Sequence, residues 1–189
     1  PSFITDAMAK SAAAGETFYT YQRGLPQLRE SLARYHQRLY GRDFSPDEFF
    51  VTGGGMQAIQ LAMQMIAGEG AEVLVPTPAW PNFRGAIETT GARAVSVPMT
   101  FGPRGWLLDI DRLEAATTPR TRAIVINSPS NPTGWTATGE ELAAVLAFAR
   151  SRGLWIVADE IYNRFCYTTP VSPSLQTLRE PGDRILFAQ

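Results

Sequence analysis

The sequence predicts an α/β fold built on a mostly parallel sheet. Three observations lead there: short apolar runs rich in β-branched residues, helical periodicities between them, and runs of Gly, Pro, Asn and Asp directly after the apolar segments. Strands that alternate with helices at these lengths are joined by crossovers, which make neighbouring strands parallel.

The elements follow in chain order. Phe3 to Ala14 reads as a short helix, followed by a Gly and aromatic patch from Gly15 to Gly24. Leu25, Leu28, Leu32, Tyr35 and Leu39 recur at helical spacing, with Pro26 in the first turn, where its missing N–H costs least, and Gly41 as the stop. His36 falls on the polar side of that helix and is expected in solvent. Phe49 to Thr52 reads as a strand, Met56 to Ala67 as a helix with Ile59, Met63 and Ile66 on one face, and Glu72 to Val75 as a strand. A helix from about Trp80 to Thr90, a strand from Arg93 to Val97 and a short helix from Asp109 to Ala116 come next. Arg122 to Asn127 contains a continuous apolar run of the kind buried on both faces. Thr138 and Glu141 have capping-box spacing and open a helix to Ser151. Leu154 to Ala158 is another buried strand, and Arg184 to Ala188 the last.

Composition narrows the function. The chain has 189 residues, enough for one ordinary domain, with 44% hydrophobic and 19% charged residues, the balance of a soluble globular protein. A net charge of −1 gives no case for a nucleic-acid or membrane-surface protein. The lone Cys166 excludes a disulfide framework, and with His36 the only histidine a Cys/His zinc site is excluded too, so no metal is expected. No apolar run approaches the ~18 residues of a membrane helix, and the first residues lack signal-peptide character, so a reducing cytoplasm is the expectation. The basic residues are sixteen arginines and one lysine, Lys10. Chemistry that needs a lysine amine must use Lys10 or a residue outside this chain.

In parallel sheets the ligand lies beyond the carboxyl ends of the strands, which directs attention to four runs. Gly53-Gly54-Gly55-Met56-Gln57-Ala58 is a Gly-rich turn opening a helix, with free N–H groups and the positive end of the helix dipole. It suits a phosphate, with a purely structural turn as the alternative. It also fits the dinucleotide fingerprint, but the next strand ends Val75-Pro76-Thr77, without the acid that would hold a ribose. Pro76-Thr77-Pro78-Ala79-Trp80-Pro81 fixes Trp80 at the sheet edge, as core filler or as a platform for a planar ring. Asn127-Ser128-Pro129-Ser130-Asn131-Pro132-Thr133-Gly134 is a stiffened turn that can place the Asn131 amide as a donor. Asp159-Glu160-Ile161-Tyr162 brings a carboxylate out of an apolar strand, where it needs either a capping role or a cationic partner.

Together these runs resemble the class I/II aminotransferase family, fold type I enzymes that use pyridoxal 5′-phosphate (PLP). Ser128 to Gly134 and Ala158 to Tyr162 are the most specific parts, supported by Thr52 to Ala58 and by Tyr19-Thr20 with Gly24 to Arg29. The resemblance implies a three-layer αβα large domain over residues 1–189, without the N-terminal arm or the C-terminal small domain. It implies that the N–H groups of Gly54, Gly55 and Met56 hold the PLP phosphate and that Trp80 stacks on the pyridine ring. Asp159 would pair with the ring nitrogen, and Asn131 and Tyr162 would hydrogen-bond its phenolic oxygen. Tyr19 would reach the cofactor phosphate of the other subunit of a homodimer. Asp159 and Tyr162 are the catalytic candidates within the chain. Asn131-Pro132 is expected to be cis.

The family's Schiff-base lysine is not matched. The resemblance sets it just after residue 189, and Lys10, on a polar segment far upstream, is no substitute. The 189 residues alone are therefore expected to bind PLP weakly and not to transaminate. The reaction implied for the parent is amino transfer between an L-amino acid and a 2-oxo acid, with the amino-acid substrate left open. A PLP-dependent β-lyase-like enzyme, a non-catalytic PLP-binding fragment and an NAD-binding Rossmann enzyme are the alternatives. Arg164, Phe165 and Tyr167 follow the last motif and suit surface packing or a pocket wall, and Cys166 has no basic neighbour to activate it.

Overall fold

The structure, a computed structural model, describes residues 1–189 and divides into two compact units. The first comprises Pro1–Arg38 and Arg42–Val51, the second Leu39–Gly41 and Thr52–Gln189.

In the first unit, α1 (Ser2–Ala13) buries none of its residues, and Phe3, Ile4 and Met8 all face solvent. Helix α2 (Pro26–Tyr40) starts at the proline, but the stripe read from its leucines is largely uncovered, with Leu25, Leu28 and Tyr35 exposed. Its buried residues are Ala33 and His36. The expectation of a solvated His36 is therefore corrected. Its Nδ1 lies 2.9 Å from the Leu32 carbonyl oxygen, and its ring packs against Phe44 and Phe49, 5.5 and 4.9 Å away. The aromatic cover comes from residues after the helix, which periodicity within the helix cannot register. The strand expected at Phe49 to Thr52 is also absent. Phe49 packs on the histidine, Phe50 is exposed, and the Val51 N–H donates to the Arg23 carbonyl instead of to a neighbouring strand. Gly24 permits that approach: it has a φ of 94°, and a Cβ there would lie 2.5 Å from a Val51 methyl.

The second unit is a five-stranded parallel sheet in the order β2-β1-β5-β6-β7. Its strands are β1 (Glu72–Thr77), β2 (Arg93–Pro98), β5 (Thr121–Asn127), β6 (Trp155–Asp159) and β7 (Ile185–Ala188). A hairpin that the sequence reading did not contain, β3 (Thr100–Gly102) with β4 (Gly105–Leu107), forms a separate antiparallel pair. Helices α3 (Gly55–Ile66), α4 (Pro81–Glu88), α5 (Ile110–Ala116) and α6 (Gly139–Arg152) complete the unit.

Side chains alternate across the pleat, so the strands feed two cores. Val73, Val75, Ala123, Val125 and Val157 pack with Ile59 and Met63 of α3 and Phe83 and Ile87 of α4. Leu74, Ile124, Ile126, Ile156 and Ala158 pack with Leu113 of α5 and Leu142, Val145 and Leu146 of α6. A sheet between two helical layers is the three-layer αβα arrangement. Each fully buried aliphatic side chain contributes roughly 1.5–3 kcal/mol, so the central strands hold the unit together. The Thr138/Glu141 capping box forms in both directions, at 3.1 and 2.8 Å.

Two buried acids mark opposite ends of the strands. Glu72, at the start of β1, is 1% exposed and accepts from Arg93 (2.8 Å), Arg120 (2.6 Å) and Thr118 (2.6 Å). Those donors hold its carboxyl well down, to about 2. Asp159, at the end of β6, has no such company.

Candidate cofactor site

The ends of β5 and β6 and the start of α3 enclose a cleft of about 280 Å³, close to the ~300 Å³ lower end of small-molecule sites. Its walls include Gly55, Met56, Trp80, Asn127, Asn131, Asp159 and Tyr162. Of the residues assigned to the cofactor from the sequence, Gly55, Met56, Trp80, Asn131, Asp159 and Tyr162 line this one space, and Gly54 and Tyr19 do not. Gly54 is the N-cap of α3, directly before Gly55, with φ 149°, a conformation that L side chains rarely adopt. Tyr19 lies fully exposed in the first unit, outside regular structure.

Several groups along the walls have no partner within the chain. The amides of Gly55 and Met56, at the first turn of α3, meet no acceptor, whereas those of Gln57 and Ala58 turn back to the Gly54 carbonyl. The Gly54 amide makes a long contact of 3.4 Å with Thr52 Oγ1. The Asn131 side-chain amide and the Tyr162 hydroxyl donate to nothing inside the chain. Trp80 stands edge-on against the buried Phe83, ring centres 5.7 Å apart at 87°, which fixes its orientation. Asn131-Pro132 is cis, as are Thr77-Pro78 and Ser128-Pro129.

Asp159 is 5% exposed and makes no ion pair; its Oδ1 accepts one hydrogen bond, from the Ile161 N–H at 3.2 Å. Burial pushes its carboxyl above the usual carboxylate range, with the Ile161 amide pulling weakly the other way. A buried carboxylate without a cation is costly, and its charge is restored when a cationic ligand group arrives.

Asn127 belongs to the site and was not among the residues chosen from the sequence. Its Oδ1 accepts from the Asn131 N–H (2.8 Å) and its Nδ2 donates to the Asp159 carbonyl (3.2 Å), so one side chain spaces two walls. The signal was there: it is the single polar residue closing an apolar strand. Cys166 also differs from expectation. Its thiol is lowered to about 7 by Thr168 and Thr169, whose hydroxyls lie 3.4 and 3.2 Å from Sγ, so neighbouring hydroxyls supply what a basic neighbour would. With Phe165 and Tyr167 it lines a broad groove of about 730 Å³ that shares Asn131 and Tyr162 with the cleft.

Residues 1–188 match the profile of the family described as "Aminotransferase class I and II". The chain belongs to that family. Among relatives of the chain, the aspartate aminotransferase of Geobacillus stearothermophilus is 38% identical over 88% of this chain and 42% of its own length. The aspartate/prephenate aminotransferase of Thermus thermophilus is 37% identical over 88% of this chain and 43% of its own length. Among solved structures, N-succinyldiaminopimelate aminotransferase from Mycobacterium tuberculosis superposes with a TM-score of 0.92 at 32% identity, over 99% of this chain and 49% of that one. The aromatic aminotransferase of Pyrococcus horikoshii gives 0.91 at 31%, over 99% and 50%. The chain thus spans about half the length of the aminotransferases it matches. Its Gly-rich turn belongs to this aminotransferase fold and not to a dinucleotide-binding one. No helix is long and apolar enough to cross a membrane.

Proposed function

We propose that this chain forms the cofactor-holding part of a PLP-dependent aminotransferase, which exchanges an amino group between an L-amino acid and a 2-oxo acid. The observation that carries the reading is Asp159, a buried acid without a cation at a cleft that also presents unpaired donors. These residues fit PLP, which has an anionic phosphate, a flat ring, a phenolic oxygen and a ring nitrogen that can be cationic.

When bound, PLP supplies an electron sink for the substrate α-carbon, strongest with its ring nitrogen protonated. Asp159 keeps a proton on that nitrogen, because a carboxylate in a low-dielectric site favours the charged form of its partner. Asn131 and Tyr162 donate to the phenolic oxygen and stabilise its negative charge. The Gly55 and Met56 amides, with the Gly54 turn, receive the phosphate at the positive end of α3. Trp80, held edge-on against Phe83, would offer the ring an apolar surface to stack on. A homodimer, with Tyr19 serving the other subunit's phosphate, is supported by the exposure of Tyr19 and of Phe3, Ile4 and Met8.

No lysine lines the cleft, and Lys10 lies on α1 in the first unit. These 189 residues should therefore hold PLP without a covalent bond. The test is PLP titration followed by tryptophan fluorescence, with borohydride reduction and intact mass in parallel. Saturable quenching with an unmodified mass of 20.7 kDa is expected; absence of saturable binding would refute the reading.

A further inference from the structure

Glu160 stands between Asp159 and Ile161, both in the cleft wall, yet does not itself line the cleft. It points the other way and is 4% exposed. We propose that Glu160 is the positioning residue of this cleft: its buried carboxylate, between Asp159 at the end of β6 and the turn carrying Tyr162, ties both to the end of β7. The proposal rests on the cofactor-site reading above.

The carboxylate collects donors from several separate segments. Ser174 Oγ donates to it at 2.8 and 2.7 Å, the Leu175 N–H at 3.2 Å and Gln189 Nε2 at 2.6 Å, while the Tyr40 hydroxyl stands 3.5 Å away. The Glu160 N–H donates to the Ala188 carbonyl at 2.9 Å, so backbone and side chain grip the end of β7 together. Asn163 Nδ2 and Gln189 Nε2 each donate to the Tyr40 oxygen at 3.0 Å and close the network. The Asn163 N–H bonds back to the Glu160 carbonyl at 3.0 Å, which shapes the turn holding Ile161 and Tyr162.

No cation reaches Glu160; the titratable group facing it is Tyr40. Burial lifts its carboxyl to about 7 even though Ser174, Gln189, Leu175 and Tyr40 all pull it down. A group placed at that cost and satisfied by so many donors over-determines the local backbone. Truncating it would remove the acceptor of the Ser174 hydroxyl and the Leu175 amide together, and one of the two acceptors of Gln189 Nε2. The turn beside the cleft would then be held to the end of β7 only by the backbone bond from the Glu160 N–H to Ala188.

The test compares the 189-residue chain with its Glu160→Ala and Glu160→Gln variants. PLP affinity, the circular dichroism induced in bound PLP and hydrogen exchange over residues 159–166 are read for each. Glu160→Ala should weaken PLP binding about ten-fold, the scale of outer-shell positioning losses, and diminish the induced signal. Glu160→Gln keeps one oxygen for Ser174 and Leu175 and should rescue part of both. Lowered melting temperature with unchanged affinity, induced signal and exchange would overturn the proposal. Should Glu160→Ala fail to fold, Ser174→Ala leaves the carboxylate in place and should still loosen the turn and weaken binding. Should the parent chain bind no PLP, the cofactor reading falls, and exchange in the ligand-free chain decides the positioning role: unchanged protection of 159–166 overturns it.

Discussion

Asp159 and Cys166 show how far single residues can be read. An acid emerging from Ile156-Val157-Ala158 needs either a capping role or a cationic partner; Asp159 accepts the Ile161 N–H of the next turn and is buried without an ion pair. Asp159→Asn should lower PLP affinity about ten-fold or more, the loss of a charge-assisted contact; PLP titration of the folded variant checks this, and equal affinity would remove Asp159 from the site. Cys166 is the opposite case. The hydroxyls that lower its thiol stand two and three residues on, and only the turn shows that they face the sulfur. Its alkylation by iodoacetamide should rise with a midpoint near pH 7, and Thr168→Ala with Thr169→Ala should move that midpoint upward. Glu160 escaped the sequence for a related reason, whereas Asn127 was marked only as the polar residue closing an apolar strand. The role of Glu160 is hydrogen bonds to other segments, and adjacent residues carry no sign of such partners.

Elements were legible where one signal sufficed. The strands at 121–127 and 155–159 are continuous apolar runs, and α6 announces itself by its cap. Thr138→Ala removes the side-chain acceptor for the Glu141 amide and should cost about 1 kcal/mol in urea unfolding; no change would mean that the capping box contributes nothing to stability. Elements were misread where a second segment decides. Phe49 to Thr52 has strand composition but no strand neighbour, and its aromatic ring was claimed by His36 and Phe44. The hairpin at 100–107 has only three residues a side, interrupted by Gly102 and Gly105, too short for alternation to show. The leucine stripe of α2 was read correctly as a pattern, but the chain itself covers little of it.

At the scale of the whole molecule, opposed carboxyl shifts shape the dependence on pH. Glu160 titrates near 7 when folded against an ordinary 4.5, so the folded state binds its proton more tightly than the unfolded one. The stability it contributes is complete below about 4.5 and is lost as pH rises through 7, an effect on the order of 3 kcal/mol. Asp159 acts in the same sense. Glu72, lowered to about 2, acts oppositely: its contribution is present above about 4.5 and disappears as pH falls toward 2. The ligand-free chain should therefore melt higher at pH 5 than at pH 8, and Glu160→Gln should flatten that slope. A wild-type melting temperature that rises from pH 5 to pH 8 would contradict the assignment.

The cluster around Glu72 has a consequence beyond its own titration. It pins the starts of β1 and β2 and the residues entering β5 to one carboxylate, at the end of the strands away from the cleft. Sliding any of those strands by one residue would exchange its faces, turning Val73 and Val75 toward the wrong helical layer. Sliding β5 would also carry Asn127 out of line with Asp159, its neighbour on β6. The ion cluster acts as an alignment stop: the spacing of the side chains around the cleft is set at the far edge of the sheet, before any cofactor arrives.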